Sequence, residues 1–453
     1  MSPRAEEVIR RVKDRLRPSP EERRAAGDAA SRILDAASRA LRELGIDGEA
    51  RLGGSYAHGT WLAGHADVDL FLLLAPGADL EAEGLRAAAR VLELAGASRV
   101  ERRYAEHPYL SGELGGVRVE VVPCYRVRRG EWRSAADRSP YHTEYLLSRL
   151  TDDLRDEVRA AKAFMIAQGV YGAEIKVRGF SGYLVEVLTL KYGGLLGLMR
   201  AATAWRPGEV IWVEPPQGEA PPRGASTIVV PDPVDPRRNL GAALSPWSLG
   251  RFVLASEMFL EDPREEMFES PAEPGSPLSL EEVASGALSI VIERPEGPED
   301  VLWGEIWRTM RGFAGYLRSR GFAVLASSAG EDDRTIAISF LLESLECCRW
   351  RLRRGPHVLM ADARRSFLEG AGTRGPIWTG DDGHLYSVAV AGARRASEEV
   401  RRALADPVRV AGASRGLEGP LRSARVLEGE EVLRAGESVR RSISALASGR
   451  PLA

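Results

Sequence analysis

The chain has 453 residues, of which 44% are hydrophobic and 28% charged, and this length predicts about three domains with ample core. No apolar run approaches the roughly 20 residues that span a bilayer, and residues 1–18 are charged throughout, so neither a membrane span nor a signal peptide is expected. Two of the three cysteines are adjacent, which argues against a disulfide framework and predicts a reducing cytoplasm.

The net charge of −3 hides an uneven distribution. Residues 257–300 contain 13 acidic and 2 basic side chains, which leaves a net charge of +8 on the rest of the chain. A basic surface masked in the total suits a nucleic-acid partner. Arginine outnumbers lysine by 58 to 4 and there is a single asparagine; this is typical of thermophilic proteins, although GC-rich coding favours the same bias.

The first domain is predicted to span residues 1–136. Two helices break at Pro18-Ser19-Pro20, where Ser19 caps the second helix and Glu22 completes a capping box. A turn, a short helix and a buried strand follow, and then a helix near 79–94 and strands near 99–104 and 117–125. This order predicts an α+β head in which helices cover one side of a mixed sheet.

Asp67 and Asp69 open the buried strand. Residues two apart on a strand point to the same face, so their carboxylates are expected side by side. The pair repels unless a divalent cation lies between, and Mg²⁺ typically takes one or two carboxylates together with phosphate oxygens. Gly54 and Ser55 lie just upstream, where a glycine turn and a following helix allow backbone amides to approach a phosphate. Together these features predict a metal–nucleotide site; alone, each half also suits a plain turn or a solvated strand start.

The second domain, residues 137–256, is predicted to be helical, with helices at 141–150, 152–168 and 179–198. Near its end a helix is predicted to begin at Arg237-Arg238-Asn239. Arginine and asparagine make directional hydrogen bonds that can select one nucleobase edge. The alternative interpretation of the same residues is a capped, solvent-exposed helix start.

The third domain, residues 257–453, begins with an acidic, proline-rich segment and continues in the order strand, helix, strand, strand, which predicts a ferredoxin-like or RNA-recognition-like sheet followed by an α/β tail. Arginines flank Trp350, a pattern that can follow a phosphate backbone and stack on a base, or simply form a solvated sheet edge. The basic C-terminal helices suit RNA docking or dimerisation, so a homodimer stays open. The arginines are Arg349, Arg351, Arg353 and Arg354.

The paired aspartates resemble the polymerase-beta nucleotidyltransferase superfamily, whose third carboxylate on a neighbouring strand is matched by Glu120. Six motifs narrow the resemblance to the archaeal-type (class I) CCA-adding enzymes: GGSYAHGTWLAGHADVDLFLLL, YAEHPYLSGEL, VEVVPCYRV, AADRSPYHTEY, GVYGAEIKVRGFSGYLVE and DPVDPRRNLGAALS. The resemblance implies a nucleotidyltransferase head, a neck, a body and a tail. It also implies template-independent addition of CCA to the 3′ end of tRNA from CTP and ATP. Glu120 departs from the family, where aspartate is expected.

The resemblance further implies roles for individual residues. Asp67, Asp69 and Glu120 would hold two Mg²⁺ ions. His142, Lys162 and Tyr171 would contact the triphosphate, and Glu106 would pair with Arg237 and Arg238 at the nucleotide edge. Two alternatives remain open: another superfamily enzyme, such as a poly(A) polymerase or a 2′-5′ oligoadenylate synthetase, and a catalytically silent RNA-binding protein on the same fold.

Overall fold

The computed structural model describes residues 3–104, 108–216, 218, 220–221, 224, 226–269, 278–347, 350–371, 375–390 and 394–449. It divides into two compact units, Met1–Ala272 and Glu273–Ala453, each of which is α+β as predicted. None of the helices in the described ranges combines the length and the apolarity that a bilayer crossing requires. The division of the first unit into a head and a neck stays a prediction.

The first unit begins with two helices, α1 (Pro3–Leu16) and α2 (Pro20–Leu44). The Ser19 hydroxyl accepts a hydrogen bond from the Glu22 amide at 3.2 Å, and the Glu22 carboxylate accepts one from the Ser19 amide at 2.6 Å. The predicted capping box is therefore confirmed. It satisfies amides that the first turn of α2 leaves without partners.

A five-stranded sheet follows, in the order β1-β2-β5-β4-β3. Strands β2 and β5 are parallel and the other pairs are antiparallel. Strand β4 was not predicted, because its proline, serine and glycine residues weaken the alternation that marks a strand. The strands are β1 (Gly48–Gly53), β2 (Asp67–Leu74), β3 (Ser98–Tyr104), β4 (Pro108–Leu114) and β5 (Val117–Tyr125), and the intervening helices are α3 (Gly54–His58) and α4 (Leu85–Ala95), the latter preceded by a π-helical turn, Leu80–Gly84.

Alternation along β2 separates the core from the site. Val68, Leu70 and Leu72 are fully buried in a cluster with residues of α2 and α4. Asp67 and Asp69 occupy the alternate positions, so they project from the opposite face. The buried residues therefore fix the strand that carries the two carboxylates.

The rest of the first unit consists of helices and connecting loops around a core that includes Phe164, Phe180 and Phe252. Helices were predicted at about the observed positions of α5 and α6. The helix predicted over 179–198 is in fact two, because Gly193 and Gly194 adopt φ of 71° and 131° and end the first of them. The helices are α5 (Ser139–Leu147), α6 (Asp152–Ala167), α7 (Gly182–Tyr192), α8 (Leu195–Ala202) and α9 (Pro246–Glu261).

The second unit contains a four-stranded antiparallel sheet in the order β14-β6-β8-β7. In chain order these are its fourth, first, third and second strands, the order of a ferredoxin-like sheet, as predicted. Apolar clusters pack on both sides of it, one including α11 and α13 and the other α10 and α16. The elements are α10 (Leu280–Ser285), β6 (Ala287–Glu293), α11 (Glu299–Ser319), β7 (Val324–Glu331), β8 (Thr335–Leu342), α13 (Ala396–Ala403), α14 (Pro407–Ala411), α15 (Glu418–Arg422), β14 (Arg425–Glu428) and α16 (Glu437–Ala447).

The arginine-rich strand does not join the ferredoxin-like sheet, which corrects the prediction. It forms β10 at the edge of a separate sheet of order β10-β12-β11. This sheet is inserted between β8 and α13. Its elements and a small neighbouring pair of strands are β9 (Glu346–Cys347), β10 (Trp350–His357), α12 (Ala361–Ala371), β11 (Ile377–Thr379), β12 (His384–Val390) and β13 (Arg394–Arg395).

Candidate active site

Three carboxylates meet on the open face of the first sheet. Asp67 and Asp69 lie two residues apart on β2, and Glu120 lies on the adjacent parallel strand β5, directly opposite Asp69 in the register. Neighbouring strands are about 4.8 Å apart. The sheet therefore places the three acidic residues that were predicted from the sequence close to one another.

Charge and burial act against ionisation of these groups. Burial, followed by the charges of Glu120 and Asp67, raises the pKa of Asp69 to about 8. Burial also raises the pKa of Glu120, and the Asp67 charge adds to that effect. Within the described residues, no side chain or amide donates a hydrogen bond to Asp69 or Glu120, and Asp67 has only Arg118, whose Nε is 3.9 Å from Oδ1. Asp69 and Glu120 are thus half-buried acids without a hydrogen-bond partner among the described residues, and a cation between them would stabilise their ionised forms.

The donor chemistry fits a hard divalent cation. Mg²⁺ prefers oxygen ligands and completes its shell with water and phosphate oxygens. In the described part of the chain, no three histidine, cysteine, aspartate or glutamate side chains are grouped closely enough to enclose a metal. By themselves the three carboxylates therefore do not form a closed metal site, and a metal held there would need further oxygen ligands, such as those of a substrate phosphate.

The turn before α3 is shaped around Asp69. Gly53 ends β1 opposite Asp69, and Gly54 follows with φ of 62°. A Cβ at Gly54 would lie 1.7 Å from the Asp69 Oδ2 atom, so only glycine lets the carboxylate lie against the turn. Ser55 is half-buried in the first turn of the five-residue helix α3. The glycine thus has a role in the site as well as in the turn.

A cavity of about 440 Å³ opens beside Asp69 and Glu120. His142 and Arg238 reach it from distant parts of the chain and share Asp232: His142 Nε2 is 2.9 Å and Arg238 Nη1 is 3.3 Å from the same Oδ2 atom. The His142 ring stacks on Tyr183 with centroids 3.8 Å apart. The residues lining the cavity include Asp69, Glu120, Tyr109, Ser139, His142, Ser181, Tyr183, Arg238 and Leu240.

Asp232 is a site residue that sequence reasoning missed. Burial acts to raise its pKa, but the hydrogen bond to His142 is among the effects that leave that pKa below the usual range. Burial lowers the pKa of His142, which Asp232 partly offsets. The only sequence signal was its position in the DPVDPRRNL motif, which does not indicate a partner 90 residues away.

Lys162 lies outside this cavity lining, in a buried network. Its Nζ is 3.0 Å from Glu186 Oε1 and 3.0 Å from the Thr60 hydroxyl, and Glu186 Oε2 is 3.0 Å from His58 Nδ1. The Lys162 charge lowers the pKa of Asp69, so it acts on the carboxylate site. Tyr171 is half-buried and forms an isolated β-bridge with Phe180. Contact of either residue with a triphosphate stays a prediction.

The predicted helix start at Arg237 is wrong, because the segment forms turns. Asn239 Oδ1 accepts hydrogen bonds from the amides of Val230 and Gly241 at 3.0 and 2.9 Å, so this asparagine fastens the loop. Arg238 reaches the cavity, whereas Arg237 is 80% exposed and 3.7 Å from Asp235. Glu106 lies outside the described residues.

The arginines of β10 lie in the second unit. Arg354 donates to Asp382 at 2.8 Å, and the Arg353 guanidinium lies 5.8 Å from the centre of the Phe367 ring. Arg349 and the side chain of Arg351 lie outside what the structure describes. RNA contact by Arg349, Arg351, Arg353 and Arg354 stays a prediction.

The fold and the carboxylate site define a nucleotidyltransferase. A family model of the nucleotidyltransferase domain matches residues 34–146, and a model described as tRNA nucleotidyltransferase, second domain, matches residues 156–269. A solved structure of a cytoplasmic RNA terminal U-transferase is 15% identical, with a TM-score of 0.46, and the match covers 60% of this chain and 99% of that one.

Relatives that match this chain over most of their length narrow the class. The CCA-adding enzyme of Sulfurisphaera tokodaii is 36% identical over 84% of this chain and 87% of its own, and that of Pyrobaculum neutrophilum is 37% identical over 78% and 82%. The CCA-adding enzyme of Methanothermobacter thermautotrophicus is 36% identical over 78% and 79%. The chain belongs to the CCA-adding enzyme family.

Proposed function

We propose that this protein builds and repairs the 3′-terminal CCA of tRNA, using CTP and ATP without a nucleic-acid template and releasing pyrophosphate. The observation that carries the proposal is the register of β2 and β5, which sets Asp69 against Glu120 in the lining of a cavity that His142 and Arg238 also line. Family membership supports tRNA as the acceptor.

Asp67 and Asp69 would hold two Mg²⁺ ions, with Glu120 joining at the ion nearest the RNA 3′-hydroxyl. Bound Mg²⁺ lowers the pKa of such a hydroxyl and balances the charge that develops on pyrophosphate. Glu120 has one methylene more than the aspartate expected in the family. It lies opposite Asp69 in the register, and both residues line the cavity. The chain's own part is to hold these three groups at a fixed separation.

The cavity would take the nucleotide. Gly54 and Ser55 would bring the turn before α3 against the triphosphate, and His142, Lys162 and Tyr171 would contact its phosphates. Arg238, with Arg237 and Glu106, would read the base edge. The guanidinium of Arg238 supports this role, because its planar fork makes paired, directional hydrogen bonds.

The test uses a tRNA that lacks its last three nucleotides, with Mg²⁺ and labelled CTP and ATP supplied separately and together. Products are resolved at single-nucleotide length. We expect two additions with CTP alone and a third only when ATP is present. A long A-tail would instead identify a poly(A) polymerase, and no extension by a protein that still binds tRNA would indicate a silent RNA-binding protein.

Asp69→Asn is the matched variant, because it keeps the volume of the side chain and removes its charge. We expect loss of nucleotide incorporation with tRNA affinity retained, measured by filter binding in parallel. Equal loss of both activities would count against a catalytic role for Asp69.

A further inference from the structure

The three carboxylate residues line two different spaces on the surface of the first unit. Asp69 and Glu120 line the cavity described above, whereas Asp67 lines a separate groove of about 410 Å³ that also contains His65 and Arg118. A second groove, of about 310 Å³, contains Arg103 and again Arg118. Arg118 therefore lines both grooves, and Asp67 lines the first of them.

Strand geometry places Arg118 beside the carboxylates. It lies two residues before Glu120 on β5, so both side chains project from the same face of the sheet. In the register, it lies opposite Asp67 on β2. Arg103 lies on the edge strand β3, opposite Tyr109, which itself lines the nucleotide cavity. The two arginines thus follow the sheet from its edge towards the catalytic centre.

Both guanidinium groups keep donors for another anion. Arg118 is 52% exposed, its nearest carboxylate oxygen is 3.9 Å away, and it donates no hydrogen bond to any described residue. Arg103 is 40% exposed and makes one hydrogen bond, of 3.3 Å, to Glu101. Of the other acids lining the grooves, Glu113 is paired with Arg99 at 3.0 Å and Glu22 accepts hydrogen bonds from the amides of Ser19 and Gly64.

We propose that Arg118 and Arg103 bind the phosphodiester backbone of the last nucleotides of the acceptor RNA and thereby bring its 3′-hydroxyl to Glu120 from the Asp67 side. This inference rests on the proposed function. In phosphoryl transfer, the attacking and leaving oxygens lie roughly in line on opposite sides of the phosphorus. With the triphosphate in the cavity, the acceptor strand must approach from elsewhere, and the grooves offer exposed arginines suited to phosphate.

The experiment measures kcat and KM for tRNA ending in CC and for ATP, using wild type, Arg118→Ala, Arg103→Ala and the double variant. We expect at least about a tenfold higher KM for tRNA in the double variant, and a KM for ATP within about twofold of wild type. The slope of log KM for tRNA against log salt should fall by about 0.7 for each backbone phosphate that the variant no longer neutralises. Arg118→Lys should restore part of the affinity because it keeps the charge.

Arg90→Ala is the matched control. Arg90 lies on α4, on the helical side of the sheet, and pairs with Glu43 at 2.8 Å, so its removal should leave both KM values unchanged. An unchanged KM for tRNA in the double variant would overturn the inference. A lower kcat with an unchanged KM for tRNA would also overturn it, because Arg118 would then act on Asp67 and not on the RNA. If wild type itself does not extend tRNA, the proposed function fails instead.

Discussion

Gly54→Ala is expected to disable the site while leaving the fold intact. The added Cβ would lie 1.7 Å from Asp69 Oδ2, whereas Cβ atoms in proteins essentially never approach another atom within 3.0 Å, so the carboxylate must move by more than 1 Å. A misplacement of about 1 Å at a reacting centre can cost about a hundredfold in rate. Alanine in the left-handed region, with φ of 62°, costs a further 1–2 kcal/mol or so of folding free energy.

The assay is single-turnover incorporation of labelled CMP into tRNA lacking CCA, with the free energy of unfolding from urea denaturation measured on the same preparations. We expect a rate lowered by about a hundredfold or more. Gly45→Ala is the matched control: Gly45 ends α2 with φ of 63°, and a Cβ there meets no atom within 4 Å. It should therefore lose a similar 1–2 kcal/mol or so of stability and keep the wild-type rate.

The comparison separates strain from steric displacement. If Gly54→Ala and Gly45→Ala retain similar rates, the contact between the turn and Asp69 does not limit catalysis, and the reasoning is refuted. If Gly54→Ala fails to fold while Gly45→Ala folds, the turn has a structural role greater than its backbone conformation explains.

Three further perturbations test the surroundings of the site. Glu186→Gln leaves the buried Lys162 ammonium facing a neutral amide, which should cost about 3–5 kcal/mol in urea denaturation at pH 7. Burial acts to raise the Glu186 pKa but Lys162 holds it below its usual range, so this difference should shrink as the pH falls below about 4. Asn239→Ala removes the acceptor of two loop amides and should cost about 1–3 kcal/mol in the same assay. Burial raises the pKa of Cys124, so iodoacetamide should label Cys347 before Cys124 in the native protein, as measured by peptide mass spectrometry.

Sequence patterns predicted the features that depend on residues close together in the chain. The capping box at Ser19 needs only residues three apart, and the common face of Asp67 and Asp69 needs only the period of a strand. In both cases the residues that determine the geometry lie within a few positions of one another. Glu120 was selected differently: the resemblance to the superfamily called for a third carboxylate on a neighbouring strand, and alternating valines then marked the strand that carries it.

The missed features depend on pairs far apart in the chain. Asp232 joins His142 across 90 residues, and Lys162 meets Thr60 across 102, so neither spacing nor periodicity reveals them. Asn239 was interpreted as a base-reading group, but its amide is used to hold its own loop. The rarity of asparagine in this chain indicated that Asn239 is needed, but it did not show whether it is needed for substrate binding or for the structure of the loop.

The different surroundings of Asp67 and Asp69 follow from the register of the sheet. Asp69 lies opposite Gly53 on β1 and Glu120 on β5, so it is enclosed by a glycine turn and a second acid, and its pKa rises to about 8. Asp67 lies at the start of β2, opposite Arg118, where solvent and a cation reach it. Two identical side chains, two residues apart, therefore border different spaces. Under the two proposals above, one space would take the incoming nucleotide and the other the acceptor strand, so that the attacking and leaving oxygens lie roughly in line.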